Sequence, residues 1–258
     1  MPGSSCPATG WYLGDDEHPY TVFDYTPSRA RDGAASWLKD YKGYLQADAF
    51  GGYDGIYACG GVVEVACWAH ARRKFYDARA SDAARSHQVL AMIRLLYDVE
   101  RDAKEKKLDA EQRQALRQER SLPLLGQLQR WFTHELPGVL PKSPMGTAIT
   151  YALNNWDALM RYASEGGGDL AIDNNAAERA IRPITLGRKN YLMLGSDRGG
   201  RTAATLYSLT ASAKRHDLDP FIYLRDVLAT IAATPVSQLH QFLPDRWKQQ
   251  QLKEIAAG

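Results

Sequence analysis

Asp173-Asn174-Asn175-Ala176-Ala177-Glu178-Arg179-Ala180-Ile181-Arg182-Pro183, continued by Gly187-Arg188-Lys189-Asn190, sets one carboxylate among fixed cations. The spacing predicts that Glu178 lies just inside a helix start, with Arg179, Arg182, Arg188 and Lys189 following within a dozen residues. An acid able to hold a hard cation, flanked by groups able to hold phosphate, points to phosphodiester chemistry. Two ordinary roles stand beside that one. Glu178 falls three residues after Asn175, the separation of a capping residue and its reciprocal partner, and four before Arg182, the separation of a helix ion pair.

Outside this stretch the charge is uneven although the net value is only +2. Glu178 to Arg201 holds six Lys/Arg against two acids, whereas Leu96 to Arg120 holds seven of each. The first reads as a phosphate surface and the second as a solvated helix. At 258 residues, with 45% hydrophobic and 24% charged residues, the chain suits an ordinary globular protein that buries roughly 70 to 75% of its unfolded surface. Cys6, Cys59 and Cys67 make no C-x-x-C pair, so no disulfide framework is expected and a reducing cytoplasm suits them. The opening residues lack a secretory leader, and the longest apolar stretches fall short of the ~20 residues a membrane span needs. No membrane partner is expected.

Along the chain, residues 1 to 10 read as an unstructured start. Trp11 to Gly14 and Thr21 to Tyr25 form a hairpin around a polar turn, Arg31 to Tyr41 suits an amphipathic helix, and Tyr44 to Asp48 makes a strand ending at an acid before Gly51-Gly52. Gly61 to Cys67 is a further strand. It leads into a basic helix carrying His70, Arg72, Arg73 and Lys74. Ser81 to Ser164 reads as helical throughout, with Thr147 to Tyr162 as its last helix and Gly166-Gly167-Gly168 marking its exit. Helices over Arg201 to Arg215 and Pro220 to Ala232, joined at His216-Asp217-Leu218-Asp219, close the chain.

Acids at strand ends can meet an acid on a later helix at one divalent cation, and Asp48 and Glu178 are such a pair. Their convergence requires the helical segment to loop out and return. Two carboxylates ~4 Å apart repel by about 4 kcal/mol at an effective dielectric of 20, which Mg²⁺ would reverse into attraction. Asp48 is equally a turn residue before its glycines, and Arg72, Arg73 and Lys74 are equally a solvated helix face. Cys67-x-x-His70 has half of a zinc spacing with no second half, so packing is its expected role.

Four segments in order carry a resemblance: Tyr44-Leu-Gln-Ala-Asp-Ala-Phe-Gly-Gly-Tyr-Asp-Gly, Cys67-Trp-Ala-His-Ala-Arg-Arg-Lys-Phe, the Asp173 to Asn190 stretch, and Asp219-Pro-Phe-Ile-Tyr-Leu. From about Trp11 to Trp247 the chain resembles insertion-sequence-66 family transposases, bacterial enzymes with a ribonuclease H-like fold and an Asp-Asp-Glu metal triad. The resemblance implies an α/β, ribonuclease H-like mixed sheet formed by residues 11–80 and 165–200, a large all-helical insertion at 81–164 and a helical C-terminal element at 201–247. It implies that Asp48 and Glu178 are the second and third triad acids, ligating Mg²⁺ or Mn²⁺ for hydrolysis and strand transfer, with Arg72, Arg73, Lys74, Arg179, Arg182, Arg188 and Lys189 on DNA.

In such transposases the first triad Asp precedes the hairpin, which here begins at Trp11. The resemblance therefore implies an N-terminally truncated catalytic region whose first strand is missing and which is incompetent alone. Removing that strand would leave two unpaired sheet edges, so residues 11 to 25 are expected to be held less firmly than the rest. The implied partners are transposon ends, target DNA and a second copy or intact transposase. A non-catalytic DNA-binding or transposase-partnering remnant is the alternative, and a helical interaction protein is the third.

Overall fold

The computed structural model describes residues 8–13, 19–26, 35–47, 53–58, 60–191 and 196–257. Two antiparallel strands come first, β1 Ala8–Leu13 and β2 Tyr20–Tyr25, paired from Ala8↔Tyr25 to Leu13↔Tyr20. The hairpin expected from Trp11 thus starts three residues earlier. Of the helix expected over 31–41, residues 35–37 are helical and 38–40 form a turn. Strand β3 Gly43–Gln46 connects through a short helix, α1 Asp54–Ala58, to β4 Val62–Val65, which lies parallel to β3 with Gly43 opposite Val62. Gly60 and Gly61 enter β4 at φ 75° and 92°, values that a residue without Cβ adopts freely.

Helices then dominate: α2 Trp68–Asp77, α3 Ala83–Glu105, α4 Ala110–Leu116, α5 Leu122–Glu135, α6 Pro144–Asn154 and α7 Trp156–Met160. Their starts follow local chemistry. The Asp82 carboxylate accepts from Arg85 N, Asp109 and Gln112 form a reciprocal capping box, and the Ser143 hydroxyl accepts from Gly146 N beside Pro144. The single helix expected over Thr147 to Tyr162 is broken at Asn155, whose side chain donates back to Tyr151 O. After Asp173 come α8 Asn175–Tyr191, α9 Asp197–Arg215, α10 Pro220–Thr230 and α11 Pro244–Ala257. The chain is a predominantly helical α/β protein, and its described strands form two separate two-stranded sheets.

Packing divides it into two compact units, Ala35–Asn175 and Met1–Ala34 with Ala176–Gly258. In the first, one core takes residues from both sides of the expected boundary at 80. Ala66, Trp68, Ala71 and Phe75 pack with Val89, Ile93, Leu96, Leu125, Leu128, Phe132, Ile149 and Leu159. Phe75 stacks on Phe132 at 5.3 Å, Trp156 meets Phe132 and Trp68 edge-on, and Trp68 Nε1 donates to Leu159 O at 2.9 Å. The helical segment therefore shares its interior with the end of the parallel pair.

The second unit lays β2 directly on α9. Gly200, Ala204, Ser208 and Ser212 recur every fourth residue, giving the helix a stripe with almost no bulk. A Cβ on Gly200 would overlap the ring of Tyr25. The Ser212 hydroxyl accepts from Thr21 N and donates to Thr21 O, both at 3.1 Å. Ser208 accepts from Phe23 N at 2.8 Å while its own proton goes to Ala204 O at 2.7 Å. Four helical residues advance ~6 Å and two strand residues ~6.8 Å, so the serines keep step with the outward-facing backbone groups of the strand. Tyr20 OH donates to Asp245, Tyr25 OH to Asp197, and Phe23 is buried against Ile184 and Ala204. The outer edge of β2 is thus bonded rather than open, which corrects the expectation of an unpaired edge there.

Ser212→Ala leaves the buried Thr21 N–H and C=O without a partner. We expect a loss of about 1–3 kcal/mol of stability, with faster amide exchange at Thr21 than in the parent. Unchanged exchange there would remove the serine ladder as the anchor.

Candidate functional site

The excursion that begins at Ser81 returns to the strands it left. Within the unit of Ala35–Asn175, Ala66 N donates to Ala158 O at 3.0 Å and Trp68 N to Ile172 O at 3.1 Å. Gln46, the last residue of β3, donates through Nε2 to Ala171 O at 2.7 Å. Asn174 N donates to the sulfur of Cys67 at 3.4 Å. Burial pushes the Cys67 thiol above its ordinary pKa despite that contact, so it remains a thiol that packs and accepts. Cys67 therefore has the packing role expected of it.

Asp173 fixes the start of α8. Its carboxylate accepts from Asn175 N at 3.1 Å, Asn175 Nδ2 at 2.7 Å and Tyr97 OH at 3.0 Å. Asn175 is the first helical residue, so the carboxylate that serves its N–H belongs to Asp173 and Asn175 is not the capping residue. Glu178 lies in the first turn and is exposed, as are Arg179 and Arg182. Ala180, Ile181 and Ile184 occupy the other side of α8 and pack against Phe23 and Ala204. Burial of that face keeps the acid and the two guanidinium groups in solvent. Pro183 sits in the helix interior, where its missing N–H frees the carbonyl of Arg179 from the usual ladder. Arg188 and Lys189 are in the last turn of α8, and their side chains lie outside the described residues, as does the whole of Asp48.

The three cations of α2 point in different directions around the helix. Consecutive residues turn ~100° apart on a helix. Arg72 and Arg73 are exposed, while Lys74 is half-buried with Nζ 4.5 Å from the centroid of the Tyr151 ring. Arg72 instead lines a cleft of about 510 Å³ with Ala69, Leu90, Ala91, Arg94, Tyr97 and Asn175. Asn175 carries a helix-start signal in the sequence, whereas Arg94 and Tyr97 carry none that points to a cleft. Arg94 and Tyr97 lie one turn apart on α3, yet nothing in their spacing reveals that α2 closes the other wall.

The Gly-rich exit is held by a buried charge. Arg117 is 1% exposed, a correction to the expected solvated helix from Leu96 to Arg120. Its Nε and Nη2 grip Glu100 at 2.8 and 2.6 Å, and Nη1 donates to Tyr162 O and Gly167 O, both at 2.9 Å. It sits in a wider π-helical turn, Arg117–Ser121. A Cβ on Gly167 would strike the carbonyls of Arg161 and Tyr162, and one on Gly168 the carbonyl of Ala110. These glycines let backbone oxygens crowd the guanidinium. Among the described residues no group of three or more His, Cys, Asp or Glu is arranged to hold a metal, and no helix is long and apolar enough to cross a membrane.

Residues 9–202 match the family described as Transposase IS66 family, and residues 208–244 match the IS66 C-terminal element. Uncharacterized protein y4hP of Sinorhizobium fredii (strain NBRC 101917 / NGR234) is 33% identical over 253 residues, covering 92% of this chain and 45% of the relative. Uncharacterized protein y4qI of the same strain is 34% identical over 263 residues, covering 95% and 48%. The chain spans about half the length of these curated relatives. No solved structure matches it.

Burial, then the Asp173 carboxylate, pushes the Tyr97 phenol far above its ordinary 10. A raised pKa of this kind contributes stability that is complete below the ordinary value and is lost as pH climbs towards the folded one. Tyr97→Phe should lower stability near neutral pH by about 1.5–3 kcal/mol through the lost bond to a charged group. The variant should also lose less stability than the parent in alkaline denaturation. Parallel alkaline curves would show that Tyr97 titrates as a free phenol.

Proposed function

The chain belongs to the IS66 family of transposases, and on that premise we propose that it forms a catalytic region for metal-dependent DNA strand cleavage and transfer, built on a ribonuclease H-like sheet. The observation that carries this reading is the 2.7 Å bond from Gln46 to Ala171. It joins the strand end two residues before Asp48 to the segment that enters the helix of Glu178. An excursion that returns in this way is what two acids so far apart in sequence need in order to share a cation.

In this reading Asp48 and Glu178 hold Mg²⁺ or Mn²⁺. Both are hard oxygen donors of the type these ions take, and Glu178 is exposed. When bound, the ion supplies charge stabilisation to the phosphodiester oxygens. The work of this chain's own residues is to bind and orient. Arg179 and Arg182 hold backbone phosphates beside the acid, Arg188 and Lys189 extend that contact, and Arg72, Arg73 and Lys74 meet DNA from α2. In this reading residues 11–80 and 165–200 form the catalytic region, 81–164 the insertion and 201–247 the C-terminal element, with transposon ends, target DNA and a second copy as partners.

Fe²⁺ substituted for Mg²⁺, with ascorbate, should cut the polypeptide near both residues 48 and 178. Asp48→Asn and Glu178→Gln should each abolish both cuts. Cuts near one position only, or unchanged cuts in either variant, would separate the two acids. For the DNA contacts, affinity should fall steeply with salt, and Arg182→Ala should reduce the log–log slope by about one. A flat salt response would remove the phosphate surface.

A further inference from the structure

The cleft between α2 and α3 has the chemistry of a nucleotide pocket, and of its named lining the proposed role in DNA cleavage uses Arg72 alone. Ala69, Leu90 and Ala91 give it apolar lining, and the exposed Arg72 and Arg94 line it together with Tyr97 and Asn175. Among the described residues, those that line it belong to the unit of Ala35–Asn175. Two turns of α3 supply Leu90, Arg94 and Tyr97 at i, i+4 and i+7, and one turn of α2 supplies Ala69 and Arg72, so two packed helices fix the walls.

The two arginines have donors to spare. The Arg94 side chain is 80% exposed, and its nearest acid, Asp98, lies 3.9 Å away while accepting a closer bond from Arg101 at 2.6 Å. Arg72 is exposed. Beside Tyr97 and Asn175 the charge of Asp173 is met by Tyr97 OH and Asn175 Nδ2, which leaves the two exposed arginines as the place for an anion. A volume of about 510 Å³ falls within the ~300–1,000 Å³ of small-molecule sites. It suits one flat apolar ring carrying one phosphate. A paired duplex presents no such group unless a nucleotide leaves the stack.

We propose that this cleft receives a single unpaired DNA nucleotide, its base against Ala69, Leu90 and Ala91 and its phosphate on Arg72 and Arg94. The proposal rests on the DNA-directed reading and adds a preference to it. Extrusion costs least where a base is already unpaired, so the cleft selects DNA with an unpaired end over a blunt duplex of the same sequence.

The 258-residue chain is titrated by fluorescence anisotropy with a blunt duplex and with the same duplex extended by three unpaired nucleotides, one of them 2-aminopurine. The extended duplex should bind about tenfold tighter, with a change in 2-aminopurine emission. Ala91→Trp, which fills the cleft from an exposed helix position without altering charge, should erase the preference and keep blunt-duplex affinity. Arg94→Ala should weaken the extended duplex and lower its salt slope by about one. Circular dichroism reports whether each variant is folded. Equal affinity for the two duplexes, or a preference that survives Ala91→Trp, overturns the proposal while leaving duplex binding intact. Binding of neither duplex at low salt overturns it together with the DNA-directed reading.

Discussion

A chain that leaves a sheet for a long helical excursion has to bring its backbone back without stranding polar groups, and that constraint organises the unit of Ala35–Asn175. Ala66 and Trp68 leave β4 with N–H groups aimed at Ala158 and Ile172, on the returning side. Arg117 supplies the complementary solution for carbonyls. One buried guanidinium gathers Tyr162 O and Gly167 O while Glu100 balances its charge. Losing either member of such a pair leaves an uncompensated buried charge, at a cost of about 3–5 kcal/mol. The glycines that follow are required by this crowding. They deliver Leu170 to Asp173 to the end of the parallel pair, and Asp173 then sets the first turn of α8.

The same economy of bulk governs the other unit. A helix normally meets a strand through side chains that hold the two backbones well apart. Gly200, Ala204, Ser208 and Ser212 remove that spacer, and the hydroxyls of the two serines substitute for a neighbouring strand. A strand edge that would otherwise invite pairing with another chain is closed by a helix. Ile184 and Ala180 of α8 pack against the same face, so the acid-bearing helix is oriented by the packing that buries Phe23.

Much of the local structure was legible in the sequence because its causes are local. Alternating apolar residues gave the hairpin, Asp219-Pro220 gave the start of α10, and the glycine run marked the exit from the excursion. What stayed hidden depends on tertiary partners. Arg117 sits in a run of balanced charge that is mostly exposed, and only its burial distinguishes it from Arg113 or Arg120. Ser208 and Ser212 look like neutral helix positions until a strand lies on them. Arg72 and Arg94 are far apart in sequence and line one cleft only when α2 packs on α3. The adjacent cations Arg72, Arg73 and Lys74, which read as one patch in a linear sequence, are dispersed around their helix by its pitch. Of the candidate site, Glu178 falls in the first turn of α8 as its spacing predicts, Arg179 and Arg182 stand exposed beside it, and Asp48 lies outside the described residues.

The burial of Arg117 separates two kinds of electrostatics within one molecule. Charges in solvent are screened over ~8 Å at physiological ionic strength, whereas a guanidinium sealed among carbonyls and a carboxylate hardly feels added ions. A rise in salt that weakens the hold of the surface arginines on anions would thus leave the junction of the excursion closed.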